Sequence, residues 1–149
     1  MLTRPRRVLL IEDDPDSAEV MTAMLTMLGH HAIAATCGAA GLARAQDFDP
    51  DAVLIDLGLP DMDGCDVARR IRTDAGRRAP LLIAVTAYSM PRDYARTAAA
   101  GFAHHVVKPP SMHALESLMK RRTVATHCRR RTDPPSRETL AAMTAGAAR

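Results

Sequence analysis

Short apolar runs alternate along the 149-residue chain with segments of helical periodicity, and this alternation limits the possible folds more than any other feature. Apolar residues recur at helical spacing in segments such as Ser17–Leu28, which Gly29 ends. Strands separated by such helices pair in parallel, and their connections are right-handed crossovers. The predicted strands are nearly continuous apolar runs, as expected where helices cover both faces of a sheet. They are Val8–Ile11, Ala32–Ala35, Asp51–Asp56, Leu81–Val85 and His105–Val107.

The pattern therefore predicts an α/β fold of five β/α units, with a parallel sheet between two layers of helices. Trp is absent and aromatic residues make up only 3% of the chain, so aliphatic side chains must build the core. The other predicted helices are Ala39–Gln46, Asp66–Thr73, Arg92–Ala100 and Met112–Arg122.

Charge divides the chain into an acidic body and a basic end. Residues 1–119 contain 12 Lys and Arg against 15 Asp and Glu, whereas residues 120–149 contain 8 against 2. The apolar periodicity stops after Arg122. We therefore predict one domain over residues 6–122 and a basic, disordered tail over residues 123–149.

The sequence favours a cytoplasmic location without a membrane partner. No apolar run approaches the roughly 20 residues of a membrane-spanning helix. The basic start "MLTRPRRVLLIEDD" has four apolar residues before its acids, which is too few for a signal peptide. Cys37, Cys65 and Cys128 lack the spacing of a metal site, so we expect free thiols in a reducing compartment.

Acidic residues follow two of the predicted strands. Glu12 and Asp13 come directly after the first strand, and Asp56 ends the third. Because function gathers beyond the carboxyl ends of parallel strands, we expect these carboxylates to lie close together. A hard divalent cation with oxygen ligands would offset their mutual repulsion. Neighbouring acids such as Asp14 and Asp16 have a simpler explanation as helix N-caps.

These acids, the hydroxyl of Thr86 and the ammonium of Lys108 form a pattern. With this pattern the chain resembles the receiver domain of bacterial two-component response regulators. The resemblance covers about residues 6–121, most of the chain. Its motifs are the pair Glu12-Asp13, "DLGLPDMDG" with Asp56, "VTA" with Thr86 and "KPP" with Lys108. The resemblance implies a flavodoxin-like, doubly wound sheet of five parallel strands in the order 2-1-3-4-5.

The resemblance implies a reaction at Asp56. Asp56 would take a phosphoryl group from a phosphohistidine on a histidine kinase or a histidine phosphotransfer protein. Asp13, Asp56 and the backbone carbonyl of Gly58 would ligate Mg²⁺ or Mn²⁺, and Glu12 would bind the cation through water. The protein would phosphorylate and dephosphorylate itself rather than turn over a substrate like a conventional enzyme.

Five residues around Asp56 would transmit and time the signal. Thr86 and Lys108 would bind phosphoryl oxygens, and the peptide bond from Lys108 to Pro109 is cis in this family. His105 occupies the switch position, where the family commonly has Tyr or Phe. Gly58 and Tyr88 occupy the two positions that tune hydrolysis of the phosphate.

The output expected from the sequence is protein contact. After Arg122 only 27 residues remain, too few for an independently stable DNA-binding domain. We therefore expect a stand-alone receiver that signals to a protein target, or dimerises, through its fourth helix, fifth strand and fifth helix. The cluster Arg129–Arg131 could touch phosphates, but nucleic acid is not an expected partner, because no recognition helix accompanies the cluster.

Two other functions fit parts of the pattern. A pseudo-receiver would share the fold and bind partners without ever taking phosphate, although the complete set of acids, Thr86 and Lys108 argues against it. A phosphatase of the haloacid dehalogenase type needs a second Asp two residues after its nucleophile. Gly58 occupies that place.

Overall fold

Five parallel strands form a sheet at the centre of the computed structural model, which describes residues 4–76, 78–87 and 91–121. The strand order is β2-β1-β3-β4-β5. This confirms the predicted α/β fold and the strand order that the resemblance implies. The strands are β1 (Arg7–Ile11), β2 (His31–Ala35), β3 (Ala52–Asp56), β4 (Leu81–Thr86) and β5 (His104–Val107).

Helices cover both faces of the sheet, and alternate residues of each central strand point to opposite faces. Leu10 and Leu54 pack in the core under α1 and α5. Leu9 and Ile55 pack in the second core under α2, α3 and α4. The helices are α1 (Pro15–Met27), α2 (Gly38–Phe48), α3 (Gly64–Ala75), α4 (Pro91–Ala100) and α5 (Met112–Lys120).

Capping residues explain why two helices begin earlier than periodicity predicts. Asp14 accepts a hydrogen bond from the Ser17 amide at 3.1 Å, so α1 begins at Pro15. Asp63 accepts one from the Cys65 amide at 2.8 Å, so α3 begins at Gly64. Asp14 is therefore the N-cap that the sequence suggested as its simpler role.

The last helix, α5, ends at Lys120, two residues before the predicted end at Arg122. Arg122 and the predicted tail, residues 123–149, lie outside the described residues, so the domain boundaries stay a prediction. Within the described part of the chain, no helix combines the length and the apolar character needed to cross a bilayer. Cys37 and Cys65 are free thiols, as expected, and Cys128 lies beyond the described residues.

Candidate functional site

Three carboxylates meet where β1 and β3 end. Ile11 pairs with Ile55 in the sheet, so the residues that follow Ile11 lie beside Asp56, the last residue of β3. Carboxylate oxygens of Glu12, Asp13 and Asp56 all lie within 4.8 Å of one another. Glu12 is fully buried, Asp56 is nearly so, and Asp13 is exposed. The structure thus brings together the three acids that the sequence placed at one end of the sheet.

Lys108 reaches into this acidic group from the loop after β5. Its Nζ donates a hydrogen bond to Asp56 Oδ2 at 2.8 Å and lies 2.5 Å from Glu12 Oε2. The second contact is an ion pair without the direction of a good hydrogen bond. The Lys108–Pro109 peptide bond is cis, as the resemblance implies.

The environment separates the pKa values of the two buried carboxyls. Burial raises the pKa of Glu12 above its usual value, and the hydrogen bonds of this carboxylate only partly oppose that effect. Burial also opposes ionisation of Asp56, but hydrogen bonds from Lys108 and from the Gly58 amide outweigh it and hold its pKa below the usual value. Burial likewise disfavours the ammonium of Lys108, yet its two acidic partners raise its pKa. Asp56 is therefore kept ionised.

The acidic group fits a hard divalent cation. When all three carboxyls are ionised, the single ammonium of Lys108 leaves an excess of negative charge. The buried Glu12 Oε2 lies 2.5 Å from Lys108 Nζ but makes no well-directed hydrogen bond within the described part of the chain, so a water held by a cation can donate to it. Carboxylates and water are the ligands that Mg²⁺ prefers. Both observations agree with the predicted contribution of Glu12 through water.

The loop between β3 and α3 holds the Asp56 carboxylate in place. The Gly58 amide donates to Asp56 Oδ1 at 2.8 Å. A side chain at Gly64 would bring its Cβ within 2.7 Å of the Asp56 carbonyl oxygen, so only glycine lets α3 begin this close to the end of β3. The sequence analysis missed Gly64. The sequence signal for it is the glycine of "DMDG", eight residues after Asp56 at the end of β3.

Asp61, in the same loop, caps a different helix. Its two carboxylate oxygens accept hydrogen bonds from the amides of Gly38 and Ala39 at 2.8 and 2.9 Å. These bonds lower the pKa of the Asp61 carboxyl. Asp61 therefore fastens the loop between β3 and α3 to the start of α2, a role that no sequence pattern indicated.

Thr86 and His105 lie on neighbouring strands. Thr86 ends β4, and its carbonyl accepts a hydrogen bond from the Lys108 amide at 2.9 Å. His105 lies on β5 and contacts α4. Its Nε2 hydrogen-bonds the Thr97 hydroxyl, and its ring centroid is 4.4 Å from that of Tyr94. Tyr88, the predicted modulator of hydrolysis, lies outside the described residues.

The hydrogen bonds of Thr97 orient the imidazole of His105. The Thr97 hydroxyl donates to the Asp93 carbonyl at 2.8 Å, so the imidazole donates to it through Nε2. Nδ1 is buried and has no partner within the described part of the chain. Burial lowers the pKa of His105, although the nearby Asp93 acts in the opposite direction. His105 is therefore neutral at pH 7 in this conformation.

Comparison with known proteins identifies the family to which this chain belongs. Residues 8–120 match the family model described as the response regulator receiver domain. The chain is 34% identical over 122 residues to the transcriptional regulatory protein KdpE of Mycobacterium tuberculosis. That match covers 79% of this chain and 53% of KdpE, so the chain spans about half the length of this curated relative. Protein PilH of Pseudomonas aeruginosa is 32% identical, over 69% of this chain and 85% of PilH.

Solved structures agree with the family match. The chemotaxis protein CheY4 of Vibrio cholerae shares the fold with a TM-score of 0.74 and 21% identity, over 78% of this chain and 98% of CheY4. The receiver domain of the sensor histidine kinase PA1611 of Pseudomonas aeruginosa, with magnesium coordinated in its active-site cleft, is 31% identical. It has a TM-score of 0.70, over 78% of this chain and 96% of that structure. Receiver domains bind Mg²⁺ in an acidic site of the kind found here. By family model, sequence and structure, this chain belongs to the response regulator receiver domains of two-component signalling systems.

Proposed function

We propose that this receiver is a phosphorylation switch in which Asp56 accepts a phosphoryl group from a phosphohistidine. The observation that carries the proposal is the state of Asp56, whose carboxylate is buried yet held ionised by Lys108 and the Gly58 amide. One Asp56 oxygen attacks the phosphorus while the bond from phosphorus to the imidazole nitrogen breaks, and the imidazole keeps the bonding pair. The donor is a histidine kinase or a histidine phosphotransfer protein.

The acids around Asp56 would hold the divalent cation. Asp13 and Asp56 supply carboxylate oxygens, Gly58 supplies its carbonyl, and Glu12 binds through water. Mg²⁺, when bound, neutralises charge on the phosphoryl oxygens, and Mn²⁺ is the nearest substitute. The buried Glu12 Oε2, which has the Lys108 ammonium at 2.5 Å but no well-directed hydrogen bond among the described residues, supports this assignment.

Lys108 and Thr86 would bind the phosphoryl oxygens once the group has moved to Asp56. Lys108 already contacts Asp56 Oδ2, so a new phosphoryl oxygen can replace one of its carboxylate partners. Thr86 ends the strand next to Asp56, and its hydroxyl can bond another oxygen. Both interactions favour the phosphorylated state without taking part in bond breaking.

The signal would leave through the face formed by α4, β5 and α5. His105 is held against α4 by Thr97 and Tyr94, so a shift of Thr86 toward the phosphate can release or repack it. We propose that this face binds the downstream protein or a second copy of the chain. Stand-alone action, a cytoplasmic location and the absence of nucleic-acid partners stay predictions from the sequence.

A small phosphodonor tests the proposal. The chain is incubated with acetyl phosphate and Mg²⁺, and phosphate incorporation is followed by intact mass. We expect acid-labile phosphate on the parent chain and none on Asp56→Asn. The matched control, Asp74→Asn, removes an exposed carboxyl from α3 and should be phosphorylated like the parent. Undiminished phosphorylation of Asp56→Asn would reject the acceptor, and an inert parent chain would favour the pseudo-receiver.

A further inference from the structure

A basic cavity lies at the opposite end of the sheet from Asp56. It is formed where β1, β3 and β4 begin and α5 ends, and it has a volume of about 730 Å³. Two carboxylates, Asp49 and Asp51, line it. Five cationic side chains also line it, in a domain whose first 119 residues are acidic overall. They are Arg4, Arg6, Arg7, Arg78 and Lys120.

Three of these cations have no carboxylate partner within the described part of the chain. Arg4 makes no ion pair there. The Arg7 guanidinium lies 5.0 Å from the centroid of the Phe48 ring rather than beside an acid. Arg6 donates from Nη2 to the Arg121 carbonyl at 2.6 Å, while its buried Nη1 has no acceptor among the described residues. Since a buried guanidinium nitrogen normally finds an acceptor, Arg6 Nη1 is available to donate to an anion.

Lys120 pairs with Glu116 at 2.6 Å, but the two carboxylates in the wall do not neutralise the arginines. Asp51 uses Oδ2 to accept a hydrogen bond from the Arg7 amide at 2.9 Å, which fastens β1 to the start of β3. Arg78 lies 3.9 Å from Asp49 and 3.8 Å from Asp51, at the outer limit of an ion pair, and its side chain is 79% exposed. Arg78 can therefore turn toward an incoming anion at little cost.

A second cavity adjoins the first and is suited to the organic part of a ligand. It has a volume of about 300 Å³, lies between α2 and α3, and has Leu42, Ala45 and Ile71 in its wall. Both cavities are lined by Asp49, Pro50, Arg78 and Pro80, so they share one boundary. A ligand whose phosphates occupy the basic cavity would place its organic part in this second cavity.

From this juxtaposition we propose that the end of the sheet opposite Asp56 binds a small organic polyphosphate of the nucleoside polyphosphate class. Phosphate oxygens are the acceptors that arginine forks recognise. The combined size of the two cavities suits a small ligand. The site is separate from the phosphoacceptor, so it would give the receiver a second input that does not depend on Asp56.

Calorimetry on the full chain without divalent cations tests the proposal. The probes are ATP, adenosine and inorganic tripolyphosphate, and we expect ATP to bind more tightly than either part alone. Arg4→Ala/Arg78→Ala should weaken ATP binding on the order of tenfold, because it removes two charged donors without touching the hydrogen bond from Arg6 to Arg121. The control Arg44→Ala/Arg70→Ala removes two exposed arginines that line neither cavity and should change affinity less than about twofold.

A variant with the opposite effect makes the test sharper. Asp49→Asn removes one negative charge from the cavity, and Asn tolerates the φ of +48° that Asp49 adopts at the end of α2. We expect it to tighten ATP binding, with amide shifts in the NMR spectrum near residues 49–51 rather than near Asp56. Equal weakening by both double variants, no saturable binding of ATP at millimolar concentration, or tighter binding of a DNA duplex than of ATP would overturn the proposal.

Discussion

Replacing Lys108 by methionine removes the charge that compensates the buried acids and keeps most of the aliphatic side chain. Glu12 is fully buried and 2.5 Å from the lysine nitrogen, so it would lose its only cationic neighbour among the described residues. Breaking a buried pair in this way costs about 3–5 kcal/mol if the remaining charge stays. The Lys108 side chain is itself 22% exposed, which lowers that figure.

Protonation of Glu12 sets a ceiling on the loss. A Glu with an ordinary pKa of about 4.3 takes up a proton at pH 7 for about 3.7 kcal/mol, and at pH 5 for about 1 kcal/mol. Above a pH of about 4.3, Glu12 of the variant would be protonated in the folded state but ionised in the unfolded chain. The loss in free energy of unfolding relative to the parent therefore grows as the pH rises. We expect Lys108→Met to lower the free energy of unfolding by about 2–3.5 kcal/mol at pH 7 and by about 1 kcal/mol at pH 5.

Urea unfolding in the presence of a chelator, at both pH values, measures the two deficits. The matched control is Lys120→Met, which breaks an exposed pair with Glu116 at 2.6 Å and should cost less than about 0.5 kcal/mol at either pH. A Lys108→Met deficit below about 0.5 kcal/mol at pH 7 would refute the reasoning. So would a deficit that stays the same at pH 5.

Three further predictions concern the cation, a buried histidine and the lifetime of the phosphate. Mg²⁺ should raise the melting temperature of the parent chain by binding the folded state, and Asp13→Ala should remove most of that rise; a rise that persists would place the cation elsewhere. Burial lowers the pKa of His30, so stability should fall as the pH drops below about 6.5. The variant His30→Asn keeps an acceptor for the Arg6 amide, and it should weaken the dependence of the melting temperature on pH. Tyr88→Ala should lose aspartyl phosphate faster than the parent in Mg²⁺ buffer without kinase, if Tyr88 obstructs the attacking water; equal decay rates would show that it does not.

The position of the acidic group was predictable because it follows from strand ends alone. Apolar runs locate the strands, and the residue after each run is then placed at one end of the sheet whatever the details of packing. This reasoning brought together Glu12, Asp13 and Asp56, whose carboxylate oxygens lie within 4.8 Å of one another, and Lys108, which contacts Glu12 and Asp56. The strand order needed the family resemblance, because hydrophobic periodicity does not say which strands are neighbours.

Contacts between elements were not predictable from the sequence. The hydrogen bond between His105 and Thr97 depends on how α4 packs against β5, and nothing in the spacing of the two residues indicates it. Asp61 caps α2 across 22 residues of chain for the same reason. The basic cavity joins residues from both ends of the domain, so its charges appear in the sequence only as scattered arginines.

Identifying the phosphorylated residue tests the central claim most directly. The chain is phosphorylated by a phosphohistidine donor with Mg²⁺, and the acyl phosphate is reduced with borohydride, which converts an aspartyl phosphate into homoserine. The peptides that contain "LLIEDD" and "VLIDLGLP" are then sequenced by mass spectrometry. We predict homoserine at position 56 and unmodified aspartate at position 13. Homoserine at another position, or none in a chain that has taken up phosphate, would contradict the assignment of Asp56 as the acceptor.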